Sequence, residues 1–144
     1  MVQGERDALE EKLVADGWTF ERHEGFIALI GGLWRRSHGN GFDYGFVGGS
    51  EHGNRSGFVQ GGMLMTIADR AFGMTARAAS GAAKSATVSF SAQFMKSMDI
   101  GTFAFVRPKV VRLTHSLAFM AGDIFCKDEI IFSAQGVWRI VRAA

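Results

Sequence analysis

The residues best suited to chemistry lie in HGNRSGFVQGGMLMTIAD, positions 52–69. Two adjacent glycines, Gly61 and Gly62, open an apolar helical run, and a carboxylate, Asp69, follows two turns in. Glycines at a helix start leave polarised backbone N–H groups with no Cβ to shield them from a ligand. Such amides are the parts of an oxyanion hole, in which one donor is worth about 10²–10³ in rate. An aspartate base, worth about 10²–10⁴, would complete a hydrolytic site. Burying an ionised carboxylate without a partner is costly or drives its protonation. Asp69 therefore has a partner, lies near water at a helix edge, or is retained for a reaction.

Geometry constrains the last option. Seven to eight residues at 1.5 Å place Asp69 about 11 Å along the axis from the glycine amides. One helix cannot bring both to one carbonyl carbon. Two antiparallel helices about a two-fold axis can, each lending its glycine to one site and its aspartate to the other. Read as an enzyme, the chain is expected to form a homodimer with shared sites.

The elements that must hold these groups follow from the pattern. Residues 4–17 read as a short helix with Leu9 and Leu13 on one face and Gly17 as its stop. Strands are expected at 33–37 and 41–47, joined by the turn His38-Gly39-Asn40. A glycine-rich loop, 48–57, leads to the helix from about Gly61 to Ala79, which Ser80-Gly81 ends. That helix is apolar nearly all round, so the sheet must curl about it or a second subunit must cover it. Gly73 in its middle suggests a close backbone contact, with a merely tolerated glycine as the alternative.

The period then changes to two. Val88, Phe90, Ala92 and Phe94 alternate with Thr87, Ser89, Ser91 and Gln93, as on a strand with two distinct faces. Further strands are expected near 102–113, 116–126 and 130–142, with links so short that neighbours must be antiparallel. Pro108 inside the first of these marks a bulge or an edge. The architecture is α+β: one long helix facing an antiparallel sheet.

Bulk properties narrow the function. With 144 residues, 47% hydrophobic, the chain suits one domain with a real core. The longest apolar run, residues 26–34, is too short to cross a bilayer, and the acidic N-terminus does not resemble a signal peptide. One cysteine, Cys126, allows no internal disulfide and reads as a small buried hydrophobe. No membrane association and a cytoplasmic location are therefore expected. Residues 1–25 carry a net charge of −4 and the remainder +6. The basic body would attract an anionic small molecule. It lacks the Lys/Arg clusters, Cys/His metal spacing and aromatic signatures of a nucleic-acid module, so no nucleic acid, metal or cofactor is expected.

The stretch resembles the hot-dog-fold acyl-CoA thioesterases of the phenylacetate-type (PaaI-like) branch. Their signature is an Asn, a short loop, His-Gly-Gly, and an acidic residue nine positions after that His. Asn54, Gln60-Gly61-Gly62 and Asp69 keep every spacing, and the likeness continues through Thr87, Leu117-Ala118-Phe119 and Ala134-Gln135-Gly136. It covers roughly residues 30–142, which divides the chain into an N-terminal helical extension, 1–25, and a hot-dog thioesterase domain, 26–144.

The resemblance implies a hot-dog fold, an antiparallel sheet wrapped around one long central helix, in a homodimer often paired into a dimer of dimers. The substrate would be an acyl-CoA carrying a small or aromatic acyl group. Asp69 would be general base or nucleophile, the Gly61 amide would polarise the thioester carbonyl, and Asn54 would hold the water or the carbonyl. Thr87 would assist beside the acid. Gln60 departs from the usual His; it can still orient and contact a carbonyl, but it cannot shuttle a proton. That departure keeps open a non-catalytic acyl-CoA binding protein on the same fold, or a purely structural domain. Basic residues near a tunnel mouth would help hold CoA phosphates, with Arg77 and Lys84 as candidates beside the Gly62 amide. His52, close to Asn54, is read either as a solvated loop residue or as a substrate contact.

Overall fold

A computed structural model describes residues 1–142. The first helix, α1 (Gln3–Ala15), ends where Gly17 takes a φ of 92°, as its sequence implies. Two short elements that the periodicity did not announce come next, strand β1 (Thr19–Glu21) and helix α2 (Gly25–Leu29). Strands β2 (Leu33–His38) and β3 (Gly41–Val47) follow, then a single turn at Ser50–His52. The long helix α3 spans Gly61–Ser80 and stops at Gly81, whose left-handed φ of 70° glycine adopts most readily.

The remaining strands are β4 (Lys84–Phe94), β5 (Phe103–Val106), β6 (Lys109–Leu113), β7 (Leu117–Cys126) and β8 (Glu129–Val141). They form one antiparallel sheet in the order β1-β2-β3-β5-β7-β8-β4, with β6 also on β7. This is the expected sheet around a central helix. The run expected as one strand over 102–113 is divided at Arg107-Pro108, because Pro108 has no N–H for the ladder. Both pieces lie along β7, β5 against Ile124–Cys126 and β6 against Ala118–Ala121. At the break Arg107 reaches back to the fully buried Asp43, donating from Nε and Nη2 at 2.8 and 3.0 Å.

The core lies between the sheet and α3. Ile67, Ala68, Ala71, Phe72 and Ala76 of the helix are fully buried against Val106, Met120, Ile124, Phe132 and Trp138. A smaller cluster on the opposite face joins Leu13, Trp18, Trp34 and Val47, so α1 roofs the β2–β3–β5 side. β1 continues the sheet beyond β2, and the expected boundary after residue 25 falls at the first residue of α2. Cys126 is buried, as its sequence context suggests.

The sheet does not enclose α3 completely. In its N-terminal half Gly62 and Met65 are exposed, and Thr66, Asp69 and Arg70 are half-buried. Gly73 has no tight neighbour: an added Cβ would lie 3.5 Å from Ser85 Oγ and 3.6 Å from Trp138 Nε1. Those are ordinary contacts, so the tolerated-glycine alternative holds.

Candidate active site

The loop before α3 is built by Asn54. Its backbone N–H donates to Phe58 O at 2.7 Å, and its side-chain Oδ1 accepts from Ser56 N at 2.9 Å and Phe58 N at 3.1 Å. Two N–H donors fix which end of the amide is oxygen and use both of its lone pairs. What Asn54 can offer a ligand is its NH₂, a donor only. Gln60, extended at the helix cap, donates its backbone N–H to His52 O at 2.7 Å. Its exposed side chain makes no hydrogen bond among the described residues. The amides of Gly61 and Gly62 that follow belong to the first turn and have no helical acceptor.

Beside these amides is an open cleft of about 290 Å³, lined by Asn54, Phe58, Gly61, Phe94, Met95 and Met98 among others. Phe94 fills the place of the missing side chain at Gly61, where a Cβ would lie 2.9 Å from its ring. At Gly62 a Cβ would meet only Gln60 Cγ, at 3.9 Å. Glycine at 61 thus serves packing as well as access.

Asp69 lies farther along α3, about 11–12 Å from Gly61 for an ideal helix, and its partner is Thr87. Thr87 Oγ1 donates to Asp69 Oδ1 at 2.5 Å. Oδ2 takes no hydrogen bond among the described residues. Past Thr87 the strand bulges. Thr87 pairs with Trp138 but Ser89 pairs with Val137, so Val88 has no opposite number. The alternation expected to put Thr87 opposite Phe90 is shifted by one, and both face the helix. Past the bulge, Phe90 meets Phe72 and Trp138 there.

His52 overturns both sequence readings. It is neither solvated nor open to substrate, with only 6% of its surface exposed. Nδ1 accepts the Gly49 N–H at 3.0 Å, so Nε2 carries the proton and donates to Ile30 O at 2.6 Å. The Ile30 acceptor, at the end of α2, is 22 positions away and gave the sequence no local signal.

Arg77 and Lys84 are not in the cleft. Arg77 donates to Ser85 Oγ at 3.0 Å near the far end of α3, and Lys84 is the exposed first residue of β4. The basic residue in the cleft lining is Lys96, missed by the sequence reading. Glu129 binds its ammonium, and this hydrogen bond and charge raise the pKa of Lys96. Among the described residues no group of three or more His, Cys, Asp or Glu is placed to hold a metal, and no helix is long and apolar enough to cross a membrane.

Comparison with known proteins agrees with this architecture. A zebrafish thioesterase superfamily member 2 is 22% identical, with a TM-score of 0.74 over 83% of this chain and 88% of its own. A phenylacetic acid degradation-related protein of Ralstonia eutropha is 19% identical, with a TM-score of 0.73 over 90% of this chain and 98% of its own. A Streptococcus mutans protein, solved bound to acetyl CoA, is 17% identical, with a TM-score of 0.72 over 85% of this chain and 100% of its own. Among curated proteins none matches the sequence. The sequence model of the thioesterase superfamily matches residues 56–132, more than half of the chain and all of α3. The chain belongs to the thioesterase superfamily.

Proposed function

We propose that the protein hydrolyses acyl-CoA thioesters in a site shared by two copies, with Asn54 and Gly61 from one and Asp69 and Thr87 from the other. The observation that carries this reading is the division of the machinery along α3. A cleft with donors but no base lies at one end, and a hydroxyl-bonded carboxylate with a free oxygen lies about two turns away. The uncovered flank of the helix and the outer edge of β4 lie on the same side. Among the described residues β4 pairs only with β8, so a second copy can add strand to strand there. Val88, 63% exposed on that edge, would be covered.

In this site the Gly61 N–H and the Asn54 NH₂ hold the thioester oxygen. Asp69 takes the proton of the attacking water through Oδ2, while Thr87 holds Oδ1. Collapse of the tetrahedral intermediate breaks the C–S bond, and the departing thiolate takes that proton from Asp69, which restores the base. Asp69 acting as nucleophile would instead give an anhydride that water opens. The small cleft, with Phe58, Phe94 and Met98 among its walls, suits a small or aromatic acyl group. Lys96 at the cleft is better placed than Arg77 or Lys84 of the same chain for an anionic part of CoA. The outer sheet face left open by α1, a cleft of about 680 Å³ bordered by Gln93, Asp123 and Gln135, is the surface for pairing dimers. A CoA ester substrate and a lone buried thiol fit a cytoplasmic enzyme.

The test is an acyl-CoA panel with thiol release as readout, comparing wild type with Asp69→Asn. Loss of about 10²–10⁴ in kcat supports the reading. Equal rates defeat it. The unbonded Gln60 side chain favours one alternative, acyl-CoA binding without turnover, which would show as a thermal shift with the ester recovered intact.

A further inference from the structure

We infer that His52 is a positioning residue that holds the Asn54 loop and the first amide of α3 in one frame, with α2 as the strut. Three bonds converge on this residue. Its Nδ1 accepts from Gly49 N at 3.0 Å, its Nε2 donates to Ile30 O at 2.6 Å, and its carbonyl accepts from Gln60 N at 2.7 Å. The ring is packed edge-on to Phe46, 5.6 Å between centroids. One buried side chain thus joins the start of the loop to the end of α2, and its backbone joins the loop to the residue before Gly61.

The other end of the strut reaches the carboxylate. His23, two residues before α2, accepts from Arg70 Nη2 at 3.2 Å, and Arg70 follows Asp69 in α3. His23 Nε2 lies 2.9 Å from Glu21 Oε1 of β1 without hydrogen-bond geometry. The segment 23–30 therefore braces α3 beside Asp69 and the loop beside Asn54. The spacing between the two halves of the machinery is set through it as well as through the helix. Reacting groups must be placed closely; a misplacement of about 1 Å costs about 10²-fold in rate.

The ring is replaceable one bond at a time. In His52→Asn, Oδ1 stands where Nδ1 stood and keeps the Gly49 bond. In His52→Gln, the longer amide keeps a donor for Ile30 O. In His52→Ala both are lost, along with the packing on Phe46.

The inference rests on the thioesterase reading for its kinetic readout and carries a second readout that does not. With an acyl-CoA that wild type turns over, His52→Ala is expected to lower kcat at least about 10-fold while KM changes less than about 3-fold. His52→Asn and His52→Gln should each recover part of the loss, even where the alanine variant folds poorly. Wild-type kcat in His52→Ala overturns the inference. So does equal loss in all three variants that tracks their melting temperatures. Should wild type hydrolyse no acyl-CoA, amide hydrogen exchange decides. Faster exchange at Phe58 and Gln60 in His52→Asn and His52→Gln, with the β7–β8 amides unchanged, supports the positioning role; unchanged exchange at Phe58 and Gln60 removes it.

Discussion

Thr87 Oγ1 donates to Asp69 Oδ1 at 2.5 Å, on the same helix-facing side of β4 as Phe90 because the strand bulges at Val88 between them. A hydrogen bond to a charged group contributes about 1.5–3 kcal/mol. In the proposed mechanism Thr87 keeps the carboxylate turned with Oδ2 outward. Thr87→Val, which keeps the shape and removes the donor, is expected to lower kcat by about 10–100-fold in thiol-release assays. Thr87→Ser keeps the donor and should stay within about 3-fold of wild type. A fully active valine variant would remove the hydroxyl from the mechanism.

That pair marks the limit of what the sequence made legible. Asp69 and the Gly61-Gly62 amides stand on one helix, so their spacing follows from the 1.5 Å rise per residue. Thr87 stands on a strand, where one extra residue reverses every face beyond it. The bulge is set by pairing with β8, about fifty residues later, and strict alternation hides it. Pro108 was legible as a break because its missing N–H is a local property, whereas its neighbour Arg107 binding Asp43, 64 positions away, was not. β1 and α2, three and five residues long, are too short for a periodic signal. His52 was misjudged for the same reason: its acceptor on Ile30 comes from α2.

Tyr44 is the only tyrosine, so its ionisation can be followed without interference from others. The residue is buried on the helix side of the sheet, 6% exposed. Burial raises its pKa above the ordinary 10.0, Glu21 adds to the rise, and Arg35 and Arg77 oppose it. Tyrosinate absorbance should therefore develop above pH 10.0 in the folded protein. The sign for stability follows from which state holds the proton. Above the unfolded value the unfolded chain loses the phenolic proton while the folded chain keeps it, so stability falls as pH rises through this window. Denaturant titrations of wild type and Tyr44→Phe should show that part of the slope disappearing. A midpoint at or below 10.0 would contradict the buried placement.

Gly73 sits inside α3 in uncrowded surroundings, an added Cβ lying 3.5 Å from Ser85 Oγ, 3.6 Å from Trp138 Nε1 and 3.8 Å from Arg77 Nη1. Glycine costs a helix interior about 1 kcal/mol relative to alanine. Gly73→Ala is expected to raise unfolding free energy by about that amount, measured by urea denaturation with an unchanged slope. Destabilisation would mean that the backbone at 73 approaches something a single chain does not contain, such as a second copy.

Sharing of the site can be tested by mixing two inactive chains. Asn54→Asp keeps the oxygens that accept from Ser56 N and Phe58 N and replaces the NH₂ donor. Asp69→Asn removes the base while leaving an acceptor for Thr87. Each variant alone should form dimers with two defective sites. In a mixed dimer both substitutions fall in one site and the other site is intact. Random exchange makes about half the dimers mixed, each with one of two sites working, so about 25% of wild-type activity should return. A lysine at Val88, placed on the edge where β4 would meet its copy, should prevent this recovery and shift the sedimentation coefficient toward a single chain. Mixed dimers that recover no activity would return the site to one subunit, and the roughly 11 Å of helix between Gly61 and Asp69, about two turns, makes that outcome hard to build.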